Sequence, residues 1–131
     1  MSVGVLIVTH PGVGSALAHS AQRIMGDSPL KTFCLDIPVD SDVERTEHEI
    51  SQALANLDAG DGVIILSDIF GATPNNLARK FAAPGHVHIV SGVNLPMLIR
   101  LYNYPNTDLA ELCELAAEGG QRGIMTCAQH L

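Results

Sequence analysis

Tryptophan is absent and aromatic side chains are scarce: three Phe and two Tyr in 131 residues. A stacking platform for single-stranded nucleic acid needs several exposed rings, so that class of function is not expected, and aliphatic side chains must fill any core. Positive charge is scarce as well. Seven Lys and Arg stand against 14 Asp and Glu, a formal net charge of −7, and no basic cluster interrupts the chain. Binding to a nucleic-acid backbone needs a positive footprint; an acidic surface suits a basic partner protein or solubility alone. The three cysteines, Cys34, Cys113 and Cys127, are odd in number and lack paired spacing, so a disulfide framework is not expected and the reducing cytoplasm is the expected compartment. The stretch from Met1 to His10 has no basic n-region, and no apolar run approaches the roughly 20 residues of a membrane span. Neither export nor insertion is expected.

What is present is a large aliphatic fraction. Hydrophobic residues make up 47% of the chain and charged ones 16%, enough for one core, and the length suits a single domain over residues 1–131. Val3 to Thr9 is a uniformly apolar run ending at His10-Pro11-Gly12, which predicts a strand covered on both faces. Ser15 to Met25 follows with helical spacing and Gly26 as a stop. The alternation then continues: strand Thr32 to Ile37, amphipathic helix Asp42 to Leu57 (Val43, Ile50, Ala53, Leu54, Leu57), strand Gly62 to Ser67, helix Thr73 to Ala82 and strand Val87 to Ser91. Thr73 is read as the cap of its helix and Pro74 as its first residue. A helix capped by Asn94 runs through about Leu101, and a last one, Asp108 to Glu118, is expected to close at Gly119-Gly120. The tail from Gly123 to Cys127 is read as a short edge strand. Strands alternating with helices predict a doubly wound α/β domain with a mainly parallel sheet flanked by helices.

In such sheets ligands bind beyond the carboxyl ends of the strands, where the strand order reverses. For an order 2-1-3-4 the reversal separates the first and third strands, and the residues just past them are His10 and Asp68. A carboxylate that accepts a hydrogen bond from one imidazole nitrogen fixes the tautomer and leaves the other nitrogen as a nucleophile. Helix starts at Gly12-Val13-Gly14-Ser15 and Gly71-Ala72-Thr73 would supply N–H donors for phosphoryl oxygens, and Thr73 adds a hydroxyl. Phosphoryl transfer rests mainly on positioning and electrostatics, so neither metal nor cofactor is called for. Each residue also has a plainer explanation. Asp68 and Thr73 serve equally as helix caps, and Gly92 to Leu98 as a tight turn packing Leu95, Met97 and Leu98 into the core. The remaining histidines, His19, His48, His86, His88 and His130, read as surface or packing residues, since His86-x-His88 with Cys34, or Cys127 with His130, makes no recognisable metal-ligand spacing.

Three segments carry a resemblance: Thr9-His10, Ser67-Asp68-Ile69-Phe70-Gly71-Ala72-Thr73-Pro74-Asn75-Asn76 and Ser91-Gly92-Val93-Asn94-Leu95-Pro96-Met97-Leu98. In order and spacing they resemble the signature segments of mannose-type IIA domains of the bacterial phosphoenolpyruvate:sugar phosphotransferase system. The resemblance implies a phosphotransferase in which His10 is phosphorylated by the carrier HPr and relays phosphate to a separate IIB protein, with Asp68 orienting it. It further implies a homodimer whose C-terminal segment swaps onto the partner's sheet edge, with any membrane association running indirectly through IIC and IID proteins. Gly12, Gly71, Ala72 and Thr73 become the expected phosphate-binding positions and Asn94 a site-wall residue. Three positions depart from the family pattern: Ala72 replaces a second glycine, Ile69 brings no hydroxyl, and Pro11 has no N–H. Other readings remain: the phosphoryl-donor subunit of a dihydroxyacetone kinase using the same histidine, a regulatory module switched by phosphorylation of His10, and a dinucleotide-binding module. The last rests on strand, Gly12-x-Gly14, helix and Asp36, but Leu17 stands at the third glycine position of that fingerprint.

Overall fold

The first strand, β1 (Gly4–Thr9), is buried along its whole length, and its alternating side chains organise the molecule. A computed structural model describes residues 2–129, in which helices α1 (Val13–Met25), α2 (Val43–Leu57), α3 (Thr73–Arg79), α4 (Leu95–Tyr102) and α5 (Leu109–Arg122) accompany strands β2 (Thr32–Asp36), β3 (Val63–Ser67) and β4 (Val87–Ser91). The sheet is parallel throughout, in the order β2-β1-β3-β4. The reversal therefore falls between β1 and β3, as the sequence predicts.

Successive strand residues point to opposite faces, and the core divides accordingly. Val5, Ile7, Ile64 and Leu66 pack with Leu98, Leu101, Leu112 and Ala116 beneath α1, α4 and α5. Leu6, Val8, Val63 and Ile65 pack with Ile50, Leu57, Leu77 and Ala78 beneath α2 and α3. Each fully buried aliphatic side chain contributes roughly 1.5–3 kcal/mol of transfer free energy. The two layers together hold β1 and β3 in a fixed register, with Val8 opposite Ser67, and so align the residues that follow them.

Helix starts follow local chemistry. Asp42, Asn94 and Asp108 cap α2, α4 and α5 by accepting from the N–H groups of Glu44, Met97 and Glu111. Five expectations are corrected. The cap of α3 is Ala72 and not Thr73, which is already helical, and no side chain caps it; Asn75 and Asn76 instead reach back from inside the helix to the backbone of Gly71. That helix stops at Arg79 rather than Ala82, because the chain turns to bring Ala83 back onto Val87. On α2, Thr46 takes a buried position while Val43 is exposed. Finally, α5 does not close at Gly119-Gly120 but runs through them to Arg122. Both glycines are buried, and a Cβ on Gly119 would lie 2.4 Å from Arg100 Cβ: they are there to bring α5 against α4, not to end a helix. The tail from Gly123 to Cys127 accordingly forms no strand within the chain. Its residues are exposed and join no ladder of the sheet, and β4 remains a half-exposed edge. His130 lies outside the described residues, and among those residues no helix is long and apolar enough to cross a membrane.

Candidate active site

At the carboxyl ends of β1 and β3, His10 and Asp68 meet. Asp68 Oδ2 accepts from the His10 backbone N–H at 3.0 Å and lies 2.8 Å from His10 Nδ1. A carboxylate only accepts, so Nδ1 carries the proton and Nε2 presents its lone pair. The second carboxylate oxygen, Oδ1, accepts from the Ile69 N–H at 3.0 Å. The Asp68 side chain is 9% exposed and that of His10 37%, which leaves the ring reachable and its anchor covered. Burial alone would raise the Asp68 pKa; the hydrogen bonds from the His10 ring and backbone, with the charge of the ring, outweigh it and hold the carboxyl below its ordinary value.

Two buried polar groups fix this geometry. Thr9, fully buried, donates its hydroxyl to the His10 carbonyl at 2.8 Å and accepts the Gly14 N–H at 2.8 Å, tying the strand end to α1. Asn75, also fully buried, donates to Ser67 Oγ at 2.7 Å and Ser91 Oγ at 2.6 Å, and accepts the Gly71 N–H at 3.1 Å. One amide thus joins the ends of β3 and β4 to the loop that carries Asp68. Ser67 adds its carbonyl, which accepts the N–H groups of Gly92 and Val93 at 2.9 and 2.8 Å.

A family model described as the fructose IIA component of the phosphotransferase system (PTS) matches residues 4–117. The chain belongs to that family. The mannose-specific EIIAB component of Escherichia coli K12 is 28% identical over 127 residues, 95% of this chain and 39% of the relative, so the chain spans well under half of that protein. The fructose-specific EIIA component of Bacillus subtilis 168 is 27% identical over 133 residues, 98% of this chain and 89% of the relative. Among solved structures, the mannose/sorbose-specific IIA subunit from Enterococcus faecalis shares the fold at a TM-score of 0.85 and 22% identity, covering 100% of this chain and 98% of its own. A PTS IIA protein associated with the fucose utilization operon of Streptococcus pneumoniae gives a TM-score of 0.79 at 25% identity, covering 96% of each chain.

Within this IIA chain the residues singled out from sequence separate into groups. His10 and Asp68 are in direct contact. The Gly12 N–H is spent on Asp36 Oδ2 at 2.9 Å, that of Gly71 on Asn75 and that of Ala72 on the Ile69 carbonyl at 3.3 Å. Thr73 is exposed, and no hydrogen bond within the described residues uses its N–H or hydroxyl. Asn94 caps α4 through Met97 and donates to the Gly120 carbonyl at 3.1 Å; none of its hydrogen bonds reaches His10 or Asp68. Sequence reasoning passed over Thr9, Asn75 and the part Asp36 plays at Gly12. A signal existed for Asn75: Asn-Asn in the first turn of a helix is poor for propensity and points to side chains working on nearby backbone.

Proposed function

We propose that this IIA chain carries a phosphoryl group on His10 Nε2, taking it from HPr and passing it to the IIB component of its system. The observation that carries this reading is the double hold of Asp68 Oδ2 on the backbone N–H and Nδ1 of His10, which leaves a single ring nitrogen outward. In the transfer, the Nε2 lone pair attacks the phosphorus of the donor phosphohistidine. A new P–N bond forms as the old one breaks, and the donor imidazole leaves with its electron pair. The proton on Nδ1 stays between the ring and Asp68, whose charge balances the positive charge developing on the ring. Phosphoryl oxygens are met by the loop after β3, where Thr73 offers an unspent N–H and a hydroxyl, while Gly71 and Ala72 shape its backbone.

The named relatives belong to mannose- and fructose-specific systems, which supports a place in sugar uptake for this chain. We place it in the cytoplasm as a homodimer, the exposed tail after α5 supplying the strand that the edge of β4 lacks. Incubation with phosphoenolpyruvate, enzyme I and HPr, followed by intact mass measurement and acid treatment, is expected to show one acid-labile phosphoryl group on the wild type and none on folded His10→Gln. Labelling of folded His10→Gln at another residue would refute the assignment.

A further inference from the structure

The head of α1, next to the nucleophile, is the obvious place for phosphoryl oxygens, yet a carboxylate already sits there and three of its N–H groups, those of Gly12, Val13 and Gly14, are spent. Asp36 closes β2, and buried Leu35 and Ile37 on either side of it turn its side chain to the α1 face of the sheet. There Oδ2 accepts the Gly12 N–H at 2.9 Å and the Ser15 hydroxyl at 3.1 Å, and Oδ1 lies 3.2 Å from the same hydroxyl. The next two N–H groups are spent as well, that of Val13 on the His10 carbonyl at 3.3 Å and that of Gly14 on Thr9 Oγ1 at 2.8 Å. Side-chain packing does little to hold the turn. Pro11, Gly12 and Val13 are exposed, and Gly12 has φ +85° with nothing within 4 Å of where a Cβ would be. Packing therefore does not secure this left-handed residue; hydrogen bonds do, its N–H to Asp36 and its carbonyl from the Ala16 N–H at 3.2 Å.

We propose that Asp36 is a positioning residue for phosphoryl transfer at His10: it clamps the turn behind the nucleophile and closes the head of α1 to phosphoryl oxygens. This rests on the phosphohistidine reading of His10. The His10 segment is then gripped from both neighbouring strands, by Asp68 from the β3 side at the ring and by Asp36 from β2 at Gly12. A fixed carboxylate at the helix start takes the favourable position that an anion would otherwise occupy, so the phosphoryl group has to be bound on the Asp68 side. The same contact engages the acidic residue of the dinucleotide reading with the glycine turn itself.

The test compares Asp36→Ala and Asp36→Asn with wild type in rapid-quench transfer from phosphorylated HPr over a range of donor concentrations. For Asp36→Ala we expect the maximum rate to fall tenfold or more with KM for the donor within twofold. Asp36→Asn should regain most of that rate, because an amide oxygen still accepts from Gly12 and Ser15. In a second arm, inorganic phosphate is titrated into the unphosphorylated, 15N-labelled proteins: the amides of Gly12 and Ser15 should shift saturably in Asp36→Ala and stay still in wild type. Transfer by Asp36→Ala at the wild-type rate, a loss confined to KM, or an Asn variant as slow as folded Ala would overturn the positioning role. Absence of a phosphate response in folded Asp36→Ala would overturn the closure. Wild type that is never labelled at His10 brings down the phosphohistidine reading itself, whereas labelled wild type with an unaffected Asp36→Ala brings down only the role of Asp36.

Discussion

Replacing Asp68 by Asn keeps the size of the anchor and removes its charge, which makes it the sharpest probe of the site. The Oδ2 atom receives two hydrogen bonds from His10, at 2.8 and 3.0 Å. A hydrogen bond to a charged group is worth roughly 1.5–3 kcal/mol net, against about 1 kcal/mol for a neutral one. The transition state adds to that difference, because the ring becomes positive as Nε2 gives up its lone pair and a neutral amide offers less compensation. A loss of about 1.4–3 kcal/mol corresponds to transfer slowed roughly 10- to 150-fold, read as maximum rate by rapid quench with phosphorylated HPr. Asp68→Ala should be slower still, since both His10 donors then lose their acceptor. Stability supplies an independent check. Asp68 is held below its ordinary pKa in the folded protein, so its contribution is fully present at pH values above the unfolded value of about 3.8 and is lost as pH falls through the folded value. The stability gap between wild type and Asp68→Asn, measured by urea unfolding, should be present at about pH 5 and close as pH falls below about pH 4. Transfer by Asp68→Asn within twofold of wild type, or a gap that fails to close below about pH 4, would refute the reasoning.

Gly119→Ala tests the close approach of α4 and α5. The new Cβ would sit 2.4 Å from Arg100 Cβ and 2.7 Å from its Cγ, and an overpacking cost of about 1–3 kcal/mol should exceed the gain of up to about 1 kcal/mol in helix propensity, lowering Tm by several degrees; an unchanged or raised Tm would mean the helices separate at no cost. The thiols should differ in reactivity. Burial, with Glu114 adding, pushes Cys113 up to about 11, and burial, then Asp36, raises Cys34, whereas Cys127 is exposed. A disulfide reagent at pH 8 should therefore modify one thiol per folded chain quickly and the other two slowly, and three equal rates would contradict the burial described.

Much of the fold is local in origin and therefore legible in the chain. The apolar run of β1, the aspartate and asparagine caps of α2, α4 and α5, and the spacing of strand and helix each depend on residues within a few positions of one another. Together with the rule that places ligands at a strand-order reversal, they single out His10 and Asp68, 58 residues apart. The errors also have a pattern. Gly119-Gly120 has the local appearance of a stop signal, and only Arg100 and Met97 on the neighbouring helix reveal that those glycines are needed for close contact. The Gly12 N–H, open as far as its neighbours in sequence tell, meets a carboxylate that only the end of β2 brings to it.

By itself, then, the order of residues determined which segments become strands and helices and which two side chains follow the central strands, because those outcomes depend on short-range sterics, capping and burial. Which donors at the site are still unspent was decided only in three dimensions. Asp36 reaches Gly12 across 24 positions and Asn75 reaches Ser91 across 16, and a hydrogen bond that spans such distances along the chain exists only once the sheet has brought its partners together.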